Sequence, residues 1–508
     1  MSAKVYSAAT IGLDAVTVEV EADIGRSLPN VLVVGLPDTA VQEARERVRA
    51  AIKNSGLKFP TTRVTVNLAP GDIKKEGPLY DLPVALAILL ASEEVRLPQT
   101  VERILFLGEL ALDGTLRPVS GVLSATLHAK DAGFEVVVVP EENAEEAALV
   151  DGITVFGATS LTKVIRHLIG ESLLVETPQT VNVTVKATAE QTMDDLAYIQ
   201  GQAHAKRALE VAAAGGHNLR LIGPPGSGKT LLARALISIL PPMTKQEMLE
   251  VTRIYSASGM LGGRPLVATR PFRSPHHTTS HVALVGGGSQ PRPGEISLAH
   301  RGVLFMDEFP EFPRHVLEAL RQPLEDGRIV VARAAGTITF PAKLMLVAAE
   351  NPCPCGYAID PTHPCTCSSG ALLRYQQRIS GPLLDRIDMH VSVPRLSIEE
   401  LQGAAPTESS AVVRARVLAA RQQQLIRYQA LNVLTNAELN SEQVRWWCVL
   451  TSAAGTLLLE ATERMKLSAR AYYRVRKLGR TIADLAGSEL IDVMHIAEAL
   501  QYRDSEDR

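Results

Sequence analysis

At 508 residues the chain is too long for a single hydrophobic core, and roughly two to four domains are expected. An apolar content of 46% with 21% charged residues excludes a disordered or low-complexity chain. A formal net charge of −3 excludes a globally basic nucleic-acid binder and leaves local patches, since a ring can carry a positive lining inside an acidic exterior.

Residues 1–170 alternate short β-branched runs with patterned helices, which predicts an α/β domain. The runs are Val16–Val20, Asn30–Val34, Arg63–Asn67, Ile104–Gly108 and Glu135–Val139. Between them, Val41, Ala44, Val48, Ala51 and Ile52 recur at helical spacing over Asp38–Lys53. The segments KEGPLYDLP (75–83) and LGELALDGTLRPVSG (107–121) resemble the active-site segments of the Lon protease domain, a ribosomal S5-type fold. Where that resemblance places the nucleophilic serine and the activating lysine, this chain carries Leu79 and Leu123. Without a hydroxyl and its base there is no nucleophilic catalysis, so the fold is expected without peptidase activity, serving assembly or nucleic-acid contact. The longest apolar run, Leu82–Ser92, is too short to cross a bilayer. The N-terminus lacks the pattern of a secretory signal; a cytoplasmic protein with no membrane partner is expected.

Residues 171–194 are polar and threonine-rich and read as a linker; residues 195–395 form a second α/β unit. In it the apolar run Leu219–Ile222 leads into Gly223, Pro224, Pro225, Gly226, Ser227, Gly228, Lys229 and Thr230, followed by a helix-forming segment. Strand, glycine-rich loop and helix are the context a P-loop requires. Its backbone N–H groups and helix N-terminus face phosphates; Lys229 reaches the β- and γ-phosphates, and the Thr230 hydroxyl holds Mg²⁺. ATP and Mg²⁺ are therefore the expected cofactors. Val303–Met306 is an apolar strand ending in two acids. Asp307 suits the hydrated metal, and Glu308 suits the general base that polarises water. A further strand over 343–349 ends at Glu350 and Asn351, and Asn351 fits a sensor that orients the water.

The glycine-, proline- and histidine-dense stretch 271–299 separates the P-loop helix from the Asp307 strand. His276, His277 and His281 within it read as structural hydrogen-bonding groups rather than a metal site. Residues 325–341 read as a hairpin turning at Ala334, Ala335 and Gly336. Cys353, Cys355, Cys365 and Cys367 are arranged as two C-x-C pairs nine residues apart, and suit a structural Zn²⁺ or four reduced thiols. Cys448, beside Trp446 and Trp447, reads as packing. Residues 396–508 lose strand signals and form an all-helical unit.

The strings AAAGGHNLRLIGPPGSGKT (212–230), PFRSPHHTTS (271–280), GGGSQPRPGEISLAHRGVLFMDEFPEF (286–312), NPCPCGY (351–357) and RISGPLLDRID (378–388) resemble the ComM/YifB family of magnesium-chelatase-like AAA+ ATPases over nearly the whole chain. The resemblance implies a Lon-like N-terminal domain, a P-loop AAA+ core with a helix-2 insert and a presensor-1 hairpin, and a helical C-terminal lid. It also implies a homo-hexameric, DNA-binding ATPase and helicase that drives branch migration and aids DNA integration in natural transformation. Arg386 matches the arginine that reaches the neighbouring subunit's ATP, and Arg470 matches the sensor-2 arginine of the lid; Arg378 is a weaker phosphate contact. Insertions of this class project into a central pore, where Arg333 is the candidate for a DNA phosphate, with pairing to a local acid as the alternative. Arg474, Arg476, Lys477 and Arg480 are expected to be a solvated helix face. The rival readings are a chelatase motor subunit, which lacks a Lon-like N-terminal domain of this kind, and an ATP-driven protein remodeller.

Overall fold

A computed structural model describes residues 2–97, 101–179, 195–288, 292–333, 336–360, 363–396, 408–431 and 433–503. The chain forms two compact units. The first holds Met1–Ala187, Lys245–Ala268 and Pro291–Pro293; the second holds Thr188–Thr244, Thr269–Gln290 and Gly294–Arg508.

The first unit is built on a sheet whose strands run in the order Val31–Val34, Val64–Ala69, Asp14–Ile24, Ser2–Ile11, Ile104–Phe106, Val136–Pro140, Thr154–Ala158. Asp14–Ile24 pairs antiparallel with both of its neighbours, and the remaining pairs are parallel. The helix foreseen over 38–53 spans Thr39–Asn54, with the Asp38 carboxylate accepting from Val41 N at 2.8 Å as N-cap. Its apolar stripe, Val41, Ala44, Val48, Ala51 and Ile52, is buried. Helix Asp81–Ala91 is almost wholly buried. Burial pushes the Asp81 carboxyl up to about 6, against the opposing pull of Arg47, whose Nε donates to it at 2.8 Å. Leu79 and Leu123, the positions matched to the Lon dyad, are apolar side chains in this core. The helix Lys245–Ser258 belongs to this unit. From it, Arg253 bonds Leu13 O at 2.9 Å and Asp14 at 2.8 Å, and the Ser256 hydroxyl accepts from Gly121 N at 3.1 Å.

In the second unit a parallel sheet runs Phe272–Arg273, Val303–Met306, Met345–Glu350, Leu219–Ile222, Met389–Ser392. Val303–Met306 and Met345–Glu350 are buried throughout, as strands covered on both faces must be. The central strand, Met345–Glu350, therefore leads to Asn351, and its two neighbours deliver the P-loop and Asp307, all at the C-terminal edge where open parallel sheets bind ligands. The foreseen hairpin is present as Arg328–Arg333 paired antiparallel with Gly336–Pro341. The side chain of Arg333 and residues 334–335 lie outside the described residues.

The C-terminal helices are Ser410–Arg427, Ser441–Trp447, Ser452–Arg464, Ala469–Leu485 and Val493–Gln501. Arg474, Arg476, Lys477 and Arg480 are not a solvated face. Arg480 is 1% exposed and bonds Asp484 at 3.0 Å. Arg474 pairs with buried Asp388 at 3.2 Å, Arg476 donates to Cys448 O at 2.7 Å, and Lys477 donates to Ala437 O at 2.9 Å. Asp388 and the carbonyls of Cys448 and Ala437 come from other segments, so the helix pattern does not reveal them, whereas Asp484 faces Arg480 one turn along the same helix. Asp484 also accepts from Arg427 and from Asn436, the latter at 2.9 Å. Asp484→Ala removes the carboxylate shared by buried Arg480 and half-buried Arg427 and is expected to cost about 3–5 kcal/mol. The check is a lowered thermal unfolding midpoint. Cys448 is buried among these helices, as its packing role requires. No helix among the described residues is long and apolar enough to cross a membrane.

Candidate nucleotide site and a paired-arginine cluster

The P-loop leaves buried strand Leu219–Ile222 and enters helix Lys229–Ile239. Gly226 and Gly228 have φ of +77° and +91°, a conformation that L side chains rarely adopt, and a Cβ on either would meet only open space. A Cβ on Gly223, by contrast, would fall 2.2 Å from Val393 O, so the loop start is pinned against the neighbouring strand. Lys229 Nζ donates to Gly223 O at 2.6 Å, Pro224 O at 2.9 Å and Asn351 Oδ1 at 3.3 Å. Burial pulls the lysine's pKa below its ordinary value, while Asp307 and Glu350 oppose that shift.

Thr230 Oγ1 donates to Asp307 Oδ2 at 3.0 Å, so the two oxygens converge as a hard cation's ligands should. A hydroxyl and a carboxylate beside a phosphate-facing loop fit Mg²⁺ by donor chemistry. Glu308 follows with φ of 51°, its N–H donating to Asp307 Oδ1 at 2.9 Å. His277 Nδ1 lies 3.0 Å from Glu308 Oε2, and its ring packs edge-on to Phe312. The partner that His277 faces is thus the residue expected to serve as general base. Asn351 rests on an anchored strand end: buried Arg220 bonds the Glu350 carboxylate at 2.5 Å.

Arg386 and Arg470 meet around one acid. Arg386 Nη2 bonds Glu325 Oε2, Arg470 Nη2 bonds Glu325 Oε1, and Arg386 Nη1 also donates to Pro382 O at 2.6 Å. Partial burial works against the Glu325 charge, but the two arginines outweigh it and hold this carboxyl below the usual carboxylate range. Arg378 pairs with Glu311.

The four clustered cysteines come together with ligand atoms within 4.8 Å of one another. Sγ–Sγ distances are 3.3 Å for Cys353–Cys355, 3.5 Å for Cys355–Cys365 and 3.7 Å for Cys353–Cys365. Four thiolates at ~2.3 Å from a tetrahedral Zn²⁺ would stand about 3.8 Å apart, so the cluster fits that ion with little movement. Backbone N–H groups of Tyr357 and Thr366 pull the Cys355 thiol down to about 6. Gly356, at φ of +88°, lies against the P-loop, where an added Cβ would fall 2.5 Å from Pro225 Cδ. The cysteine loop and the phosphate loop therefore share a wall.

Residues 195–401 match the family model described as magnesium chelatase, subunit ChlI, residues 407–503 match its C-terminal counterpart, and residues 20–143 match one described as subunit ChlI of Mg-chelatase. Fold and matches together define a magnesium-chelatase-like AAA+ protein with a Lon-like N-terminal domain, a family that implies ATP and Mg²⁺. Competence protein ComM of Haemophilus influenzae is 44% identical over 500 residues, covering 98% of this chain and 97% of that protein. The protein YifB of Escherichia coli is 44% identical over 500 residues, 98% of this chain and 96% of that protein. The chain belongs to the ComM/YifB family. Lon protease 2 of Bacillus subtilis is 28% identical over 126 residues, 24% of this chain and 22% of that protein. Because the N-terminal region itself matches a chelatase-subunit description, its presence does not separate a DNA motor from a chelatase motor.

Proposed function

We propose that this protein is an ATP-driven, homo-hexameric DNA motor that promotes branch migration during integration of incoming or recombining DNA. The observation that carries the ATPase part is the convergence of Lys229, Thr230, Asp307 and Asn351 at one sheet edge, with Glu308 beside them. Support for the DNA part is the family and the similarity to the competence protein ComM of Haemophilus influenzae. Thr230 and Asp307 would hold Mg²⁺, which would supply charge neutralisation at the phosphates. Glu308 accepts the proton of the attacking water, and Asn351 orients that water. Arg386 is delivered to the neighbouring subunit's nucleotide, with Arg470 beside it. The hairpin Arg328–Pro341 carries Arg333 toward DNA in the ring's pore. The N-terminal domain keeps the Lon-like fold without peptidase chemistry. The test is ATP turnover by the purified protein with and without forked DNA: stimulation supports the motor, and turnover indifferent to DNA redirects the search to protein or porphyrin partners.

Zn²⁺ held by Cys353, Cys355, Cys365 and Cys367 belongs to the same proposal, as a brace for the loop behind the P-loop. Cys353→Ser/Cys365→Ser is expected to abolish a stoichiometry of one zinc per chain, read by elemental analysis, and to weaken binding of a fluorescent ATP analogue. Unchanged nucleotide binding in a zinc-free variant would remove the bracing role.

A further inference from the structure

We infer that Glu325 is a positioning residue for Arg386 and Arg470, holding the pair away from phosphate until movement of the pore hairpin withdraws its carboxylate. The inference rests on the proposed DNA-motor reading and adds to it the link from hairpin to ATP site.

Each carboxylate oxygen of Glu325 takes one arginine. Two guanidinium groups repel each other, so a single shared anion is what lets them stand together. The pair is thereby assembled as a receptor for one multivalent anion, and a γ-phosphate carries more charge and more acceptor oxygens than a carboxylate. While Glu325 occupies that position, it competes with the phosphate.

Glu325 also sits where hairpin movement must be felt. It is the penultimate residue of helix Arg321–Asp326, which ends on Gly327 at φ of +64°, and the hairpin's first strand begins at Arg328. Only Asp326 and Gly327 lie between the carboxylate and the hairpin. The Glu325 side chain is 45% exposed and that of Arg470 is 40% exposed, against 9% for Arg386. The exposed Glu325–Arg470 pair is of the weak kind, which suits a contact that must be broken in every cycle. Arg386 keeps its bond to Pro382 O when Glu325 leaves, so the guanidinium stays aimed after release.

The test measures ATP turnover across a DNA titration for wild type, Glu325→Gln and Glu325→Asp. Glu325→Gln removes the competing charge and is expected to raise the DNA-free rate several-fold, to shrink the ratio of DNA-stimulated to DNA-free turnover, and to lower the KM for ATP. Glu325→Asp keeps the charge on a shorter stem that cannot span both arginines and should fall between the two. The gain must vanish in Glu325→Gln/Arg386→Ala if it runs through Arg386. An unchanged stimulation ratio in Glu325→Gln, or a fall of both rates together, overturns the inference. Wild-type turnover indifferent to DNA would instead sink the DNA reading, while the raised basal rate of Glu325→Gln would still support release of the arginines.

Discussion

Glu308→Gln is expected to lower ATP turnover by about 10²–10⁴-fold while ATP still binds, because under the proposed mechanism the change removes the general base and little else. The side chain is 55% exposed, so the amide is accommodated without repacking. The Glu308 backbone N–H to Asp307 is untouched, and Gln retains an oxygen that can face His277. Phosphate release and titration with a fluorescent ATP analogue separate the two effects. Loss of binding along with turnover would mean that Glu308 shapes the site rather than acting on water.

Arg386→Ala is expected to cost a similar or larger factor, about 10³–10⁵, if its guanidinium stabilises the transition state from a neighbouring subunit. The side chain is 9% exposed, and its described polar contacts are Glu325 and Pro382 O, so its loss leaves the P-loop cluster intact. Mixing gives the sharper readout. A subunit carrying Glu308→Gln still offers Arg386, and a subunit carrying Arg386→Ala still offers Glu308. Mixed rings should therefore recover turnover that neither variant shows alone. An arginine acting within its own subunit predicts no recovery.

Much of this site was legible in the sequence because its parts are contiguous. The P-loop lies between one strand and one helix, and Asp307 with Glu308 closes a buried strand, so local pattern carries the chemistry. The Cys353–Cys367 cluster was legible for the same reason. What escaped depends on contacts between distant segments. Nothing local marks His277 as the partner of Glu308, and Glu325 reaches Arg386 across 61 positions and Arg470 across 145. The strand Ser2–Ile11 escaped for another reason. Its alanines and serines have little strand preference of their own, and pairing with Asp14–Ile24 and burial of Val5, Ala8 and Ala9 make it a strand. Arg474, Arg476 and Lys477 misled for the same cause in reverse, since Asp388 and the carbonyls of Cys448 and Ala437 lie outside their helix; Arg480 did not need distant contacts, because Asp484 is its i,i+4 neighbour on that helix.

The most direct test is ATP-driven strand exchange on a labelled branched DNA, followed as displaced strand over time with wild type and Glu308→Gln side by side. Displacement by wild type that requires ATP and disappears in the variant is the expected result. Vigorous ATP hydrolysis with no displaced strand from any branched or forked substrate would contradict a DNA motor.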